Sequence, residues 1–281
     1  MEEKVDIGSV LCVLAASVCF STGGLLVKLI PWSALAINGA RNLIGASVIG
    51  FFLLLTHHKL TFGKPVFAGA LSMIGVTTFF AIANKLTTAA NAIVLQFTAP
   101  VFVILLMALL FHKRPKKADV LACAAVLTGV CLFFVDGLRS GNLLGNLVAI
   151  LSGVCYAGVF MMNAAEGSDA ISSCFLGQLA AGVMFSPLCL RETDFSPGTL
   201  WAVFALGAVQ VGLAYILFSL GIRRTPPVTA SLITGLEPIL NPLWAAAFYH
   251  ESVSGLAIIG AVVVVGSILA YNVWIAREKK T

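Results

Sequence analysis

Charge is what this sequence has least of. Of 281 residues only 10% are Asp, Glu, Lys or Arg, against 59% hydrophobic ones. A water-soluble domain carries about 25% charged residues, so a soluble globular fold has too little here to cover its surface. Several motifs that would announce a chemistry are absent as well. There is no GxxxxGK[ST] loop to cradle a nucleotide, so any transport must draw on a gradient or on exchange. There is no HExxH, no GxSxG and no paired Asp-rich stretch to hold Mg²⁺, which argues against an intramembrane enzyme. No ring of charge or filter sequence of a channel is visible. The seven cysteines (Cys12, Cys19, Cys123, Cys131, Cys155, Cys174 and Cys189) form no CxxC pair and no Cys/His cluster with zinc spacing. They read as small apolar packing residues, and no metal or cofactor is expected.

What is present is apolar sequence from end to end, with a mean hydropathy of +1.02. A spanning helix needs about 20 apolar residues, so the chain has room for about ten spans joined by short loops. The expected spans are 8–30, 33–55, 66–84, 88–111, 118–135, 142–162, 170–190, 199–220, 227–249 and 253–275. Their breaks carry recognisable turn chemistry: Pro31-Trp32-Ser33, His57-His58-Lys59, the basic run from His112 to Lys117, the polar connector from Asp136 to Asn142, and Thr225-Pro226-Pro227. In the last of these Thr225 is the expected N-cap. Met1-Glu2-Glu3 has the wrong charge for a secretory leader, and the first apolar run is long enough to span.

The formal net charge of +5 does not indicate nucleic acid, because the basic residues sit at span ends and form no groove. Placed on ten spans, twelve Lys and Arg fall on the side of the N-terminus and three (Lys85, Arg139 and Arg191) on the other; Lys28 and Arg41 lie within spans. The positive-inside rule then puts both termini in the cytoplasm of a multi-pass inner-membrane protein.

The chain also repeats itself. At a constant offset of 138, Thr87 meets Thr225, Ala92 meets Ala230, Pro100 meets Pro238, Leu105 meets Leu243 and His112 meets His250. Val18-Cys19-Phe20 likewise resembles Val154-Cys155-Tyr156. Two units follow, 1–137 and 138–281, each of about five helices. Because five is odd, the second unit enters the membrane from the opposite face, which gives inverted-topology repeats about a central cavity.

Ala92 to Pro100 followed by an apolar helix resembles the fourth helix of the drug/metabolite transporter superfamily. Leu236-Glu237-Pro238, with Glu251 further on, is similar to its ninth helix, and Gly255 to Gly266 to its tenth. Nearly the whole chain resembles two EamA-type five-helix repeats. The resemblance implies an all-α membrane protein of ten helices, cytoplasmic termini, and export or exchange of small metabolites. Where the second repeat has Glu251 the first has Lys113, so a role for that Glu is not shared by both halves.

Charged groups at membrane depth cost several kcal/mol and usually face the bundle interior. Two lie well inside spans: Glu237 near the centre of the ninth and Arg41 near the centre of the second. Gln96, Gln178 and Gln210 share that depth. Asn38, Arg41 and Asn42 have the i, i+3, i+4 spacing of one helix stripe, and Glu237 and Asn241 are four apart. Pro238 and Pro242 each remove a backbone donor from the ninth helix. This set, with Tyr156 and Tyr215, reads as a solute site in which Arg41 and Glu237 meet the two charges of a zwitterion. The bland reading is a structural Arg41–Glu237 pair with amides bridging helices. Asn163 is a candidate alongside the two tyrosines. Trp32, Trp201 and Trp274 read as interfacial anchors, and Gly153 and Ala157 as points of close helix approach. The expected partners are a small-molecule solute and the bilayer, in a monomer or homodimer; the alternative is a lipid or lipid-linked-sugar flippase of the same fold.

Overall fold

The computed structural model describes residues 6–27, 29–87, 89–135, 142–249 and 254–278, a few side chains within these stretches excepted. Every regular element among them is helical. In chain order they are α1 (Ile7–Ser21), α2 (Gly23–Val27), α3 (Ala34–Leu55), α4 (Lys64–Leu86), α5 (Ala89–Gln96), α6 (Ala99–Phe111), α7 (Lys117–Phe134), α8 (Leu143–Phe160), α9 (Ala170–Phe185), α10 (Pro197–Ala205), α11 (Ala214–Gly221), α12 (Pro227–Ile233), α13 (Glu237–Tyr249) and α14 (Gly255–Glu278). A 3₁₀ stretch, Ser186–Arg191, extends α9, and a π-helical stretch, Leu206–Leu213, joins α10 to α11.

Seven segments among the described residues are long and apolar enough to cross a membrane, and Pro227–Leu240 and Gly255–Tyr271 are shorter apolar helices. Large side chains such as Leu54, Leu71, Leu109 and Val262 point outward, as the hydrocarbon of a bilayer requires and water would not tolerate over so many positions.

Helix ends follow local chemistry. Asp6, Ser33, Asn142 and Ser196 cap α1, α3, α8 and α10 by accepting backbone N–H bonds. His112 closes α6 in the left-handed conformation, with φ 53°. Thr225 does not cap α12. The cap position is one residue later, at Pro226, so that Pro227 opens the helix, and the buried Thr225 hydroxyl has no protein partner.

Two spans are interrupted, and by the same device. Between α5 and α6 the chain turns at Phe97-Thr98; between α12 and α13 it passes through a 3₁₀ turn, Thr234–Leu236. Pro100 and Pro238 follow these breaks. Each lacks the N–H that would bond the carbonyl four residues back, that of Gln96 and of Thr234, and each ring crowds that carbonyl. Both prolines sit in the first turn of the next helix, where the missing donor has no partner in any case. Glu237 is thus not a mid-helix residue but the first residue of α13.

The packing is an exchange between halves. The most extensive contacts pair α4 with α8, α7 with α14, α3 with α9, α4 with α9, and α3 with the π stretch. α1 packs on α11 and α13, and α8 on α5 and α6. Glycines permit the closest crossings. A Cβ at Gly153 would lie 2.9 Å from the Gln96 carbonyl oxygen, and one at Gly45 would lie 2.3 Å from Val211.

A central polar belt

Three helices deliver the charged part of the belt. On α3, the Asn38 side-chain oxygen accepts from Arg41 Nη2 at 2.9 Å, from Arg41 Nε at 3.3 Å and from Asn42 Nδ2 at 3.2 Å. The i, i+3, i+4 stripe is therefore a bonded cluster. On α13, Glu237 Oε2 accepts from the Tyr156 hydroxyl of α8 at 3.2 Å. Arg41 acts through space on Glu237 and Tyr215, yet no ion pair joins Arg41 to Glu237 among the described residues. Both side chains are half-buried, whereas Asn38 and Asn42 are sealed. A basic and an acidic side chain thus stand near one another, each held by neutral groups of its own.

The amides divide. Gln96 is engaged: its Nε2 donates to Ser152 Oγ at 2.8 Å, and Ser152 donates on to the Val76 carbonyl at 3.1 Å. That chain ties α5, α8 and α4 together. Gln178 is 1% exposed and neither atom of its amide has a protein partner. Its helix neighbour Cys174 accepts from Ser219 on α11 at 3.4 Å, so Gln178 and Tyr215, one turn away along two opposed helices, come to the same level. Gln210 lies in the π stretch, with its Oε1 unpaired and its amide end beside Gly23. Buried polar atoms without partners cost about 1–3 kcal/mol each unless water or solute satisfies them, so these positions have hydrogen-bonding capacity to spare. The Asn241 side chain lies outside the described residues, as do Lys28, Arg139, Glu251 and His250. Asn163 does not join the belt: its Oδ1 accepts from the backbone of Ala170 near the start of α9.

Tyr156 belongs to an edge-packed aromatic set: it stacks at a tilt on Phe160 with centroids 4.6 Å apart, Phe160 meets Phe218, and Phe20 meets both Phe218 and Tyr215. These rings position the two tyrosine hydroxyls. Two partners in this region carry little sequence signal: Ser152, one serine among many, and Trp244, whose Nε1 donates to Ser21 Oγ at 2.9 Å.

At the ends of the bundle, the cap positions of α3 and α9 bind the opposite helix's far loop. Ser33 donates to Glu192 at 2.7 Å, and Trp32 donates to the Asp194 carbonyl at 2.7 Å. At the other end His58 meets Asp169 at 2.7 Å, and Ser172 and Thr61 also donate to Asp169. Burial raises the Asp169 pKa, but the Ser172 bond and the His58 contact outweigh it and hold the carboxyl below its ordinary value.

A multi-pass helical membrane protein with two broken helices and an acidic and a basic side chain half-buried between its helices has the architecture of a solute carrier rather than of an enzyme. The EamA-like transporter family model matches residues 7–135 and again 143–273, and the chain belongs to that family. Over 96% of its length it is 23% identical to the threonine/homoserine exporter RhtA of Salmonella typhimurium, 92% of which is covered. It is 26% identical to the aromatic amino acid exporter YddG of Ancylobacter novellus, with 70% of this chain and 72% of that one aligned. An uncharacterized inner membrane transporter of Escherichia coli, YedA, is 25% identical over 79% of this chain and 76% of its own. A crystal structure described only as that of a protein superposes with a TM-score of 0.82 at 22% identity, covering 95% of this chain and 97% of that one. The chain is a transporter of small metabolites.

Proposed function

We propose that this transporter moves an amino acid or a close analogue out across the cytoplasmic membrane by alternating access, as a secondary carrier. The proposed frame is ten spans in two inverted repeats, 1–137 and 138–281, with both termini in the cytoplasm. Exchange of the first five spans for the last five turns the α4–α8 contact into the α11–α1 contact. It likewise turns α4–α9 into the π stretch on α3, and α6–α8 into α13–α1; the α3–α9 and α7–α14 contacts map onto themselves. That pattern supports a two-fold relation, as does the recurrence of the helix break 138 residues on. The names of the two exporters above support an amino-acid substrate and the outward direction.

The observation that carries the site is the separation of charge. Arg41 and Glu237 sit at mid-depth, half-buried, each bonded to neutral groups and not to the other. A zwitterion bridging them would place its carboxylate on Arg41 and its ammonium on Glu237. Asn38, Asn42, Gln178, Gln210, Tyr156 and Tyr215 would supply the surrounding hydrogen bonds, with Asn241 one turn beyond Glu237; Gln96 is committed to Ser152 and acts in support.

The test uses the purified protein in proteoliposomes loaded with a mixture of amino acids. Glu237→Gln is expected to insert normally and lose at least about 100-fold in efflux, the scale on which an essential interacting group acts. A Glu237→Gln variant as active and as stable as the parent would overturn the site. Movement of labelled lipid, with no movement of amino acids, would favour the flippase.

A further inference from the structure

The two halves close their seams by different means. In the outer half of the bundle, on the topology proposed above, α13 lies against α1. There Trp244 Nε1 donates to Ser21 Oγ at 2.9 Å while the same hydroxyl donates to the Val18 carbonyl at 2.6 Å. Ser21 is fully buried, so this is a bond shielded from water. The repeat offsets locate the corresponding seam in the inner half. Trp244 falls on Leu106 of α6, and Ser21 falls on Ala157 of α8 by the alignment of Val18-Cys19-Phe20 with Val154-Cys155-Tyr156. Neither Leu106 nor Ala157 can donate or accept through its side chain. Beside that seam a groove of about 380 Å³ runs between α4, α6 and α8, lined by Ser72, Leu106, Leu110, Phe111, Cys155 and Gly158.

We propose that Trp244 and Ser21 form the outer gate latch, a polar closure that the inner seam lacks. Under this assignment α13 swings away from α1 when solute is released, and the Trp244–Ser21 bond is the contact broken. An apolar seam opens and closes without leaving polar groups unpaired; a bonded one resists opening until something offsets the lost bond. The resting protein is therefore biased to load from the cytoplasm. Because α13 begins at Glu237, occupation of the site and release of the latch are carried by one helix.

The inference rests on the proposed topology and not on the identity of the solute, so its test needs neither substrate nor flux. Spin labels are placed at Leu29 and Phe248, both exposed near the outer ends of the two elements, in full-length protein with the native cysteines replaced. The parent should give one short-distance population by double electron–electron resonance. Trp244→Phe, which keeps the ring and removes the N–H, should raise the long-distance fraction about fivefold, the ratio that one neutral hydrogen bond sets. Ser21→Ala should do the same, and the double variant should go no further than either single one, because one bond is removed once. In the converse experiment Leu106→Trp with Ala157→Ser, which offers the inner seam the same pair, should lower the long-distance fraction between labels placed on α6 and α8. Distances unchanged in both single variants, or effects that add in full, would overturn the latch. Labelling of Leu29→Cys by an impermeant reagent from the cytoplasmic side alone would instead overturn the topology.

Discussion

The broken helices of the two halves are alike in backbone and unlike in chemistry. α5/α6 and α12/α13 turn at corresponding positions ahead of corresponding prolines. Yet the residue after the turn is Ala99 in one and Glu237 in the other, and Gln96 of the first faces a serine while Glu237 faces a tyrosine. Ala99 is sealed and packs against the core; Glu237 is half-buried. The comparison separates two things that sequence symmetry alone would merge. The interruption occurs in both halves, and the acidic residue in only one.

That comparison can be broken most forcefully by moving the charge. Ala99→Glu puts a carboxylate into a sealed position with no partner and should lower stability by about 3 kcal/mol or more, read as a loss of folded protein in thermal unfolding. Combining it with Glu237→Ala should not restore efflux. Recovery of flux in that double variant would mean that the two breaks are interchangeable after all. A second effect, about 1–3 kcal/mol, is expected from Gly153→Val, because its side chain would meet the Gln96 and Leu95 carbonyls where α8 crosses the first break. Ser152→Ala should cost about 1 kcal/mol by leaving the Gln96 amide without its acceptor, with efflux largely retained. A loss of flux as large as that of Glu237→Gln would instead put Gln96 in the site.

The smallest effect concerns the ends of the α3–α9 pair. Asp169 is held below the ordinary carboxylate range, so it binds protons less readily folded than unfolded. Its contribution to stability is therefore present above the unfolded value, about 3.9, and is lost as pH falls through the lower folded one. Asp169→Asn should flatten the fall in melting temperature in that acid window and leave the neutral-pH curve's shape alone. An unchanged acid limb would mean that the His58–Asp169 contact is incidental.

Much of the frame is legible in the chain because the bilayer applies one rule at every residue. Apolar runs of about 20 residues with turn chemistry between them mark a multi-pass helical chain, and seven segments among the described residues are long and apolar enough to cross a membrane. The stripe Asn38, Arg41, Asn42 was legible for the same reason, since helical spacing fixes which side chains meet. What spacing cannot reach is the partner on another helix. Tyr156 and Glu237 both stood out as polar groups at depth, but their bond spans 81 residues and depends on how α8 crosses α13. Charge alone left open a structural Arg41–Glu237 pair beside the solute site; in the structure Arg41 bonds locally, to Asn38. Thr225 misled because two successive prolines offer two starts for α12, and the later one prevails. Trp244 and Ser152 gave no signal, being residue types that serve equally as anchors and packing.

The π stretch Leu206–Leu213 also decides which way the segment Pro197–Gly221 turns its polar face. A π turn is wider than an α turn, so the side chains that follow it are rotated about the axis relative to an unbroken α-helix. Gln210, inside the stretch, comes to lie beside Gly23, where no side chain stands against its amide.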